Sequence, residues 1–156
     1  MTEPEQEGTP TLEEAARRRA DLHHALIEVE RAISSPAIGR EPDWTKQVVL
    51  HLEDLARTID EHIEVTERPE GLYDEITQKA PRLSNKIERL RAEHPDLREA
   101  ATQAIDRLQS GGVGETWSLD DARDDLQRLL GKVVRHRQLG ADLVWEAYNL
   151  DIGGIE

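Results

Sequence analysis

The sequence predicts an all-α chain, an antiparallel up-and-down four-helix bundle, on three observations. Apolar residues recur at three- and four-residue spacing through four long segments, the signature of helices packed along their length. Nothing alternates at period two for long enough to be a strand. Short breaks rich in Gly, Pro and Ser separate the segments, as connections between antiparallel neighbours do. The clearest seam runs Leu119, Ala122, Leu126, Leu129, Val133, His136, Gly140, Leu143, Ala147 and Leu150. One of its positions holds an imidazole where a leucine is expected.

In chain order, Met1–Pro10 reads as a loose acidic arm, and residues 11–150 read as the bundle. Thr11 is placed to cap the first helix, with Glu13 and Glu14 in a first turn where the dipole favours negative charge. Its apolar face is Leu12, Ala15, Leu22, Leu26, Val29 and Ile33, with Ala16, His23 and Glu30 along one edge. Ser34 to Pro42 break the pattern. The second helix, capped by Asp43 or opened by Pro42, carries Trp44, Val48, Leu52, Leu55, Ile59, His62 and Thr66. Pro69 and Gly71 interrupt it, and Leu72, Tyr73 and Ile76 predict a further turn or two before Ala80 and Pro81. The third long helix shows Leu83, Ile87, Leu90, His94, Leu97, Ala101, Ile105 and Leu108, and Pro95 is expected to kink or split it. After Gly111, Gly112 and Gly114, Ser118 caps the fourth, with Asp120 and Asp121 behind it. Residues 151–156 form a tail.

Composition excludes several classes. With 33 acidic against 20 basic residues and a net charge of -13, neither nucleic acid nor an anionic membrane is a suitable partner. There is no cysteine, so disulfides, thiolate metal sites and thiol catalysis are absent. No run approaches a membrane span, and the start of the chain is acidic rather than signal-like, so a cytoplasmic protein is expected. Gly111-Gly112-Val113-Gly114 has no preceding strand and no following Lys, and reads as a hinge rather than a phosphate loop. His62 and Glu67 are separated by helical phase, no other pair forms a catalytic constellation, and no enzyme is expected. The segment Trp145–Gly154 concentrates two of the five aromatics: it either closes the end of the bundle or offers an aromatic–acidic surface to a protein partner.

Helical phase sorts the six histidines. His62, His94 and His136 fall within their seams, His23 lies on the edge of its own, and His24 points away. Counted from the inter-helix joints, His62, His94 and His136 stand at heights that let them converge, whereas His23 is offset by roughly two turns of rise and His51 matches it better.

With these segments on the page, the chain resembles the hemerythrin-like, cation-binding (HHE) four-helix bundles. The resemblance is carried by Leu22-His23-His24-Ala25-Leu26, Glu61-His62-Ile63-Glu64-Val65-Thr66-Glu67, Arg89-Leu90-Arg91-Ala92-Glu93-His94 and Arg135-His136. It implies two iron ions held between the helices by imidazoles and bridging carboxylates, with a role in binding or sensing oxygen or iron. The implied metal ligands are His23, His62, His94 and His136, with Glu30 and Glu67 as carboxylate candidates. The chain departs from the pattern where carboxylates or a further imidazole are expected: Thr66, Arg98, Gly140 and Ala141 occupy those positions. Glu30 is the one carboxylate whose phase lets it reach inward, and Arg98 is a natural partner for it. Two adjacent divalent ions need anionic ligands, whereas three or four neutral imidazoles suit one Zn²⁺, Ni²⁺, Co²⁺ or Fe²⁺.

Two readings follow. One is a non-enzymatic bundle, metal-free or weakly metal-binding, that serves as an interaction or scaffold module. The other is an iron- or zinc-binding protein that responds to oxygen, redox state or iron through the core histidines.

Overall fold

Helix α1 begins earlier than its sequence suggests. Pro10 occupies its first position, where a missing N–H costs nothing, and the Thr9 hydroxyl accepts from the Leu12 N–H. Thr9, not Thr11, is therefore the cap, and the expected arm gives up its last residues to the helix. The computed structural model describes residues 8–150, with no account of the Leu150 side chain, so most of the arm and the tail 151–156 lie outside the described residues. Within them the chain is all-helical: α1 (Pro10–Ser34), α2 (Glu41–Glu67), the short α3 (Leu72–Lys79), α4 (Ser84–Ser110) and α5 (Leu119–Trp145). A 3₁₀ turn, Pro81–Leu83, leads into α4, and a π turn, Glu146–Leu150, follows α5. Pro42 sits in the first turn of α2, and the Ser118 hydroxyl accepts from the Asp121 N–H at the start of α5.

Pro95 neither splits α4 nor ends it; the helix runs through from Ser84 to Ser110. Proline removes the bond to the carbonyl four residues earlier and crowds that carbonyl, but packing of Leu90, His94, Leu97 and Ala101 on both sides holds the segment helical. None of these helices is long and apolar enough to cross a membrane.

The long helices close a ring in which α1 packs on α2, α2 on α4, α4 on α5 and α5 on α1. Their end-to-end contacts give the sense of each pair. Trp44 at the start of α2 donates its indole N–H to Ile33 O near the end of α1 (3.2 Å), and Arg68 just past α2 pairs with Glu14. Arg98 meets Asp60 at 2.8 Å between α4 and α2. Lys86 meets Glu146 at 2.7 Å, and Arg107 meets Asp125 at 3.4 Å, at opposite ends of α4 and α5. Arg123 of α5 donates to Ile33 O (3.0 Å) and Ser35 O (2.6 Å), closing the ring against α1.

The apolar interior forms two clusters. One gathers Leu22, Leu26, Val29, Leu52, Leu55, Ile59, Leu97, Leu126 and Val133; the other gathers Ala15, Val65, Leu72, Ile76, Ile87, Leu90 and Leu143. On each of α2, α4 and α5 the changeover falls at a histidine: His62, His94 and His136. A polar layer thus crosses the interior. The aromatic end resolves as follows: Tyr148 packs against the second cluster and donates its hydroxyl to Glu75, while Trp145 is 56% exposed.

The α5 interior contains Gly131, exposed and with open space where a Cβ would stand. Gly131→Ala therefore relieves an entropic cost without a clash and is expected to raise stability by about 0.5–1 kcal/mol. Urea denaturation of the two proteins measures it; an unchanged or lower midpoint would contradict the helical placement.

Candidate metal centre

Three imidazoles meet in the polar layer, each from a different helix: His62 of α2, His94 of α4 and His136 of α5, exposed by only 8%, 1% and 2%. Each offers one ring nitrogen, and the three nitrogens lie within 4.8 Å of one another. The Nε2 atoms of His62 and His136 are 3.2 Å apart. The ring centroids are 5.3, 5.3 and 4.9 Å apart, with the rings set edge-on rather than stacked.

The outer nitrogens are held by carboxylates. Glu93 accepts from His136 Nδ1 at 2.6 Å, and Glu67 accepts from His94 Nδ1. These bonds place the proton of both rings on Nδ1 and leave both Nε2 lone pairs facing the centre. In the metal-free chain His62 Nε2–H then donates to His136 Nε2, and Tyr73 donates its hydroxyl to His94 Nε2 at 3.3 Å. Tyr73 also stacks on His94, with centroids 5.9 Å apart and planes 12° from parallel.

The short α3 positions Tyr73. After α2 the chain turns at Glu70, which adopts a left-handed φ of 62°, and Gly71, whose N–H donates to Arg68 O at 2.8 Å. A Cβ on Gly71 would stand 2.8 Å from the carbonyl oxygens of both Arg68 and Val65, so only glycine fits this approach. The turn folds α3 back over the end of α2 and lays Tyr73 against the histidines.

The first helix supplies something other than an imidazole. His23 is exposed, because Leu22 takes the inward position beside it, and it is not part of the cluster. Glu30 is exposed on the same edge and does not reach inward; its expected partner Arg98 pairs with Asp60 at the surface instead. Between Ala15 and Leu22, where α1 passes from one apolar cluster to the other, stands Arg19, four residues before His23. Its carbonyl accepts from Arg137 Nε at 3.2 Å. Arg19, Arg137, His62, Thr66, Tyr73 and Gly140 border a void with about 10 Å³ of room for the centre of a water molecule, the threshold for holding one.

Helical phase sets Glu67 off the apolar seam, yet it reaches His94. Each long helix has two neighbours, and a residue on the flank of the seam faces one of them. Glu67 and Glu93 are flank residues whose length carries the carboxylate to a ring on the next helix. Sequence reasoning missed Glu93 for the same reason, although it adjoins a seam histidine, and missed Tyr73 because its approach depends on the turn at Glu70 and Gly71. Thr66, which stands where a ligating Glu is expected from the resemblance, instead donates to backbone carbonyls of its own helix, His62 O at 2.9 Å and Ile63 O at 3.1 Å.

Burial keeps His62 and His94 neutral. Burial, followed by the neighbouring histidines and Arg19, pushes His62 down to about 3. Burial, then His136, Arg91 and Arg98, pushes His94 down to about 3 as well. Burial raises Tyr73 well above the ordinary phenol range, so it stays an O–H donor in the metal-free chain. Unprotonated imidazoles are the form that binds metal.

Fold and site together define an all-helical chain with a buried three-histidine cluster able to hold a metal ion. No family model, no curated protein and no solved structure matches the chain.

The depressed histidines fix a pH dependence. Unfolded, each imidazole titrates near 6.5; folded, His62 and His94 resist protonation down to about 3. Between those values the unfolded chain binds more protons, so stability falls as pH drops below about 6.5, by up to about 1.4 kcal/mol per pH unit for each histidine. Urea midpoints in the presence of chelator are expected to fall from pH 7 to pH 5, and by less in His62→Leu. Equal midpoints at both pH values would mean that the layer accepts protons without cost.

Proposed function

We propose that the chain is a hemerythrin-like antiparallel bundle that binds one transition-metal ion through His62, His94 and His136, without enzymatic activity of its own. The observation that carries the reading is the pair of carboxylates behind the rings. A core histidine needs only some hydrogen-bond partner, but Glu67 and Glu93 act alike, on the nitrogen facing away from the centre, and so aim both Nε2 atoms at it. This is the carboxylate–histidine arrangement that orients metal ligands and raises their basicity.

The spacing supports it. With metal–nitrogen bonds of about 2.0 Å, ligands at tetrahedral angles stand about 3.3 Å apart. The His62–His136 separation of 3.2 Å has that value already, and the widest permitted pair, 4.8 Å, needs a contraction of at most about 1.5 Å, the difference between 4.8 and 3.3. Three imidazoles suit Zn²⁺, Co²⁺, Ni²⁺ or Fe²⁺, and the two carboxylates behind them offset the charge of one divalent ion. A second ion finds no anionic ligand: Thr66 is turned to its own backbone, and Gly140 has no side chain. The reading is therefore a mononuclear zinc or iron(II) centre, not the di-iron centre that the family resemblance alone implies.

The competing reading is a metal-free interaction module, in which the 3.2 Å contact is an N–H···N bond and the layer only sets the register of the helices. Metal titration separates the two. Apoprotein is expected to take up about one Co²⁺ or Zn²⁺ per chain, and His136→Leu is expected to abolish uptake while keeping its helical circular dichroism. Glu93→Gln is expected to weaken affinity by about 10–100-fold. Uptake below about a tenth of an equivalent by the wild type would leave the metal-free module.

A further inference from the structure

We propose that Tyr73 is the fourth ligand of this centre and binds trivalent iron as a phenolate. The inference rests on the three-histidine reading and extends it to the metal's oxidation state and to a residue of α3.

Two contacts carry it. Tyr73 Oη stands 3.3 Å from His94 Nε2, as His62 Nε2 stands 3.2 Å from His136 Nε2. Both are the ligand–ligand separation of a tetrahedral centre, about 3.3 Å. The four atoms thus form two pairs at the right distance, one from α2 and α5 and one from α4 and α3. Tyr73 and His62 also border the same void.

Rigidity adds to geometry. The Tyr73 ring is stacked on His94, and the Arg91 guanidinium lies over it, 5.4 Å from the ring centroid. Gly71 fixes the turn that delivers it.

Charge then selects the ion. With a divalent ion, neutral Tyr73 leaves Glu67 and Glu93 to balance two positive charges. With Fe³⁺, conversion of the phenol to a phenolate supplies the third negative charge. On coordination the phenol O–H bond breaks, its proton leaves to solvent, and an oxygen lone pair forms the bond to iron; no electron is transferred in that step. The oxidation of Fe²⁺ to Fe³⁺ passes one electron to an added one-electron acceptor, ferricyanide, which is reduced to ferrocyanide.

The chain offers a clean test because it has only two tyrosines, Tyr73 and Tyr148. Tyr148 is held by Glu75 away from the histidines. Protein loaded with Fe²⁺ under anaerobic conditions and oxidised with ferricyanide is expected to develop a visible phenolate-to-iron charge-transfer band with tyrosinate modes in resonance Raman. Tyr148→Phe, whose sole tyrosine is Tyr73, is expected to keep the band. Tyr73→Phe is expected to lose it while keeping the helical circular dichroism of the wild type. A wild type that binds Co²⁺ but shows no band on oxidation, or a band that survives in Tyr73→Phe, overturns the proposal. Failure to bind Co²⁺ at all overturns the three-histidine reading and this inference with it.

Discussion

The bond from an imidazole Nδ1–H to a carboxylate on the flank of a neighbouring helix is the interaction on which the interior depends. His94 to Glu67 ties α4 to α2, while His136 to Glu93 ties α5 to α4. Without these acceptors, two polar rings would be buried at a cost of roughly 1–3 kcal/mol each, and either ring could adopt the other tautomer. With them, the rings are fixed in rotation and protonation, and three helices are locked at one height. Because the layer separates two apolar clusters, a slip of one helix by a turn would move a histidine into hydrocarbon and a leucine against a carboxylate. The polar layer therefore specifies register where a uniform Leu and Val interior would tolerate several.

The same layer explains why the fourth long helix of the ring contributes differently. At its height α1 presents Arg19, whose backbone carbonyl accepts from Arg137, and a small void lies between them and His62. Burial together with the nearby Arg137 lowers the Arg19 pKa, and the Arg19 charge in turn disfavours protonation of His62. Arg19 and Arg137 thus stand on the α1–α5 side of the layer, while Glu67 and Glu93 stand behind His94 and His136.

Much of this is legible in the sequence, for an identifiable reason. The inward position of His62, His94 and His136 follows from helical periodicity, and their common height follows from rise per residue between joints. Both are properties of a single helix and its connections. What fails depends on neighbours. Phase puts His23 at an edge, but the adjacent Leu22 fills the inward place, and the layer crosses α1 one turn earlier. Phase also puts Glu67 off the seam, and does not single out Glu93, because a period counted around one axis cannot say that the flank of a helix faces a ring on the next. The pattern marks Tyr73 only as an apolar-face residue of a short helix. Its approach to His94 depends on the chain turning back at Glu70 and Gly71, and specifically on Gly71 lying against two carbonyls. That is a tertiary event with only a glycine to announce it.

The absence of ligating carboxylates at Thr66 and Gly140 takes on a different meaning once Glu67 and Glu93 are located. Read as a list of ligands, the sequence lacks the anions that two metal ions require. Read as a charge balance, it keeps two anions and moves them one bond further out, behind the imidazoles. An anion that ligates directly neutralises a metal and bridges to a second; an anion behind a histidine neutralises through the ring and leaves the inner sphere to nitrogen. The first arrangement suits a pair of iron ions, the second a single ion with a histidine-dominated inner sphere. On the proposed reading, Thr66 and Gly140 need no carboxylate because Glu67 and Glu93 keep the negative charge behind the imidazoles.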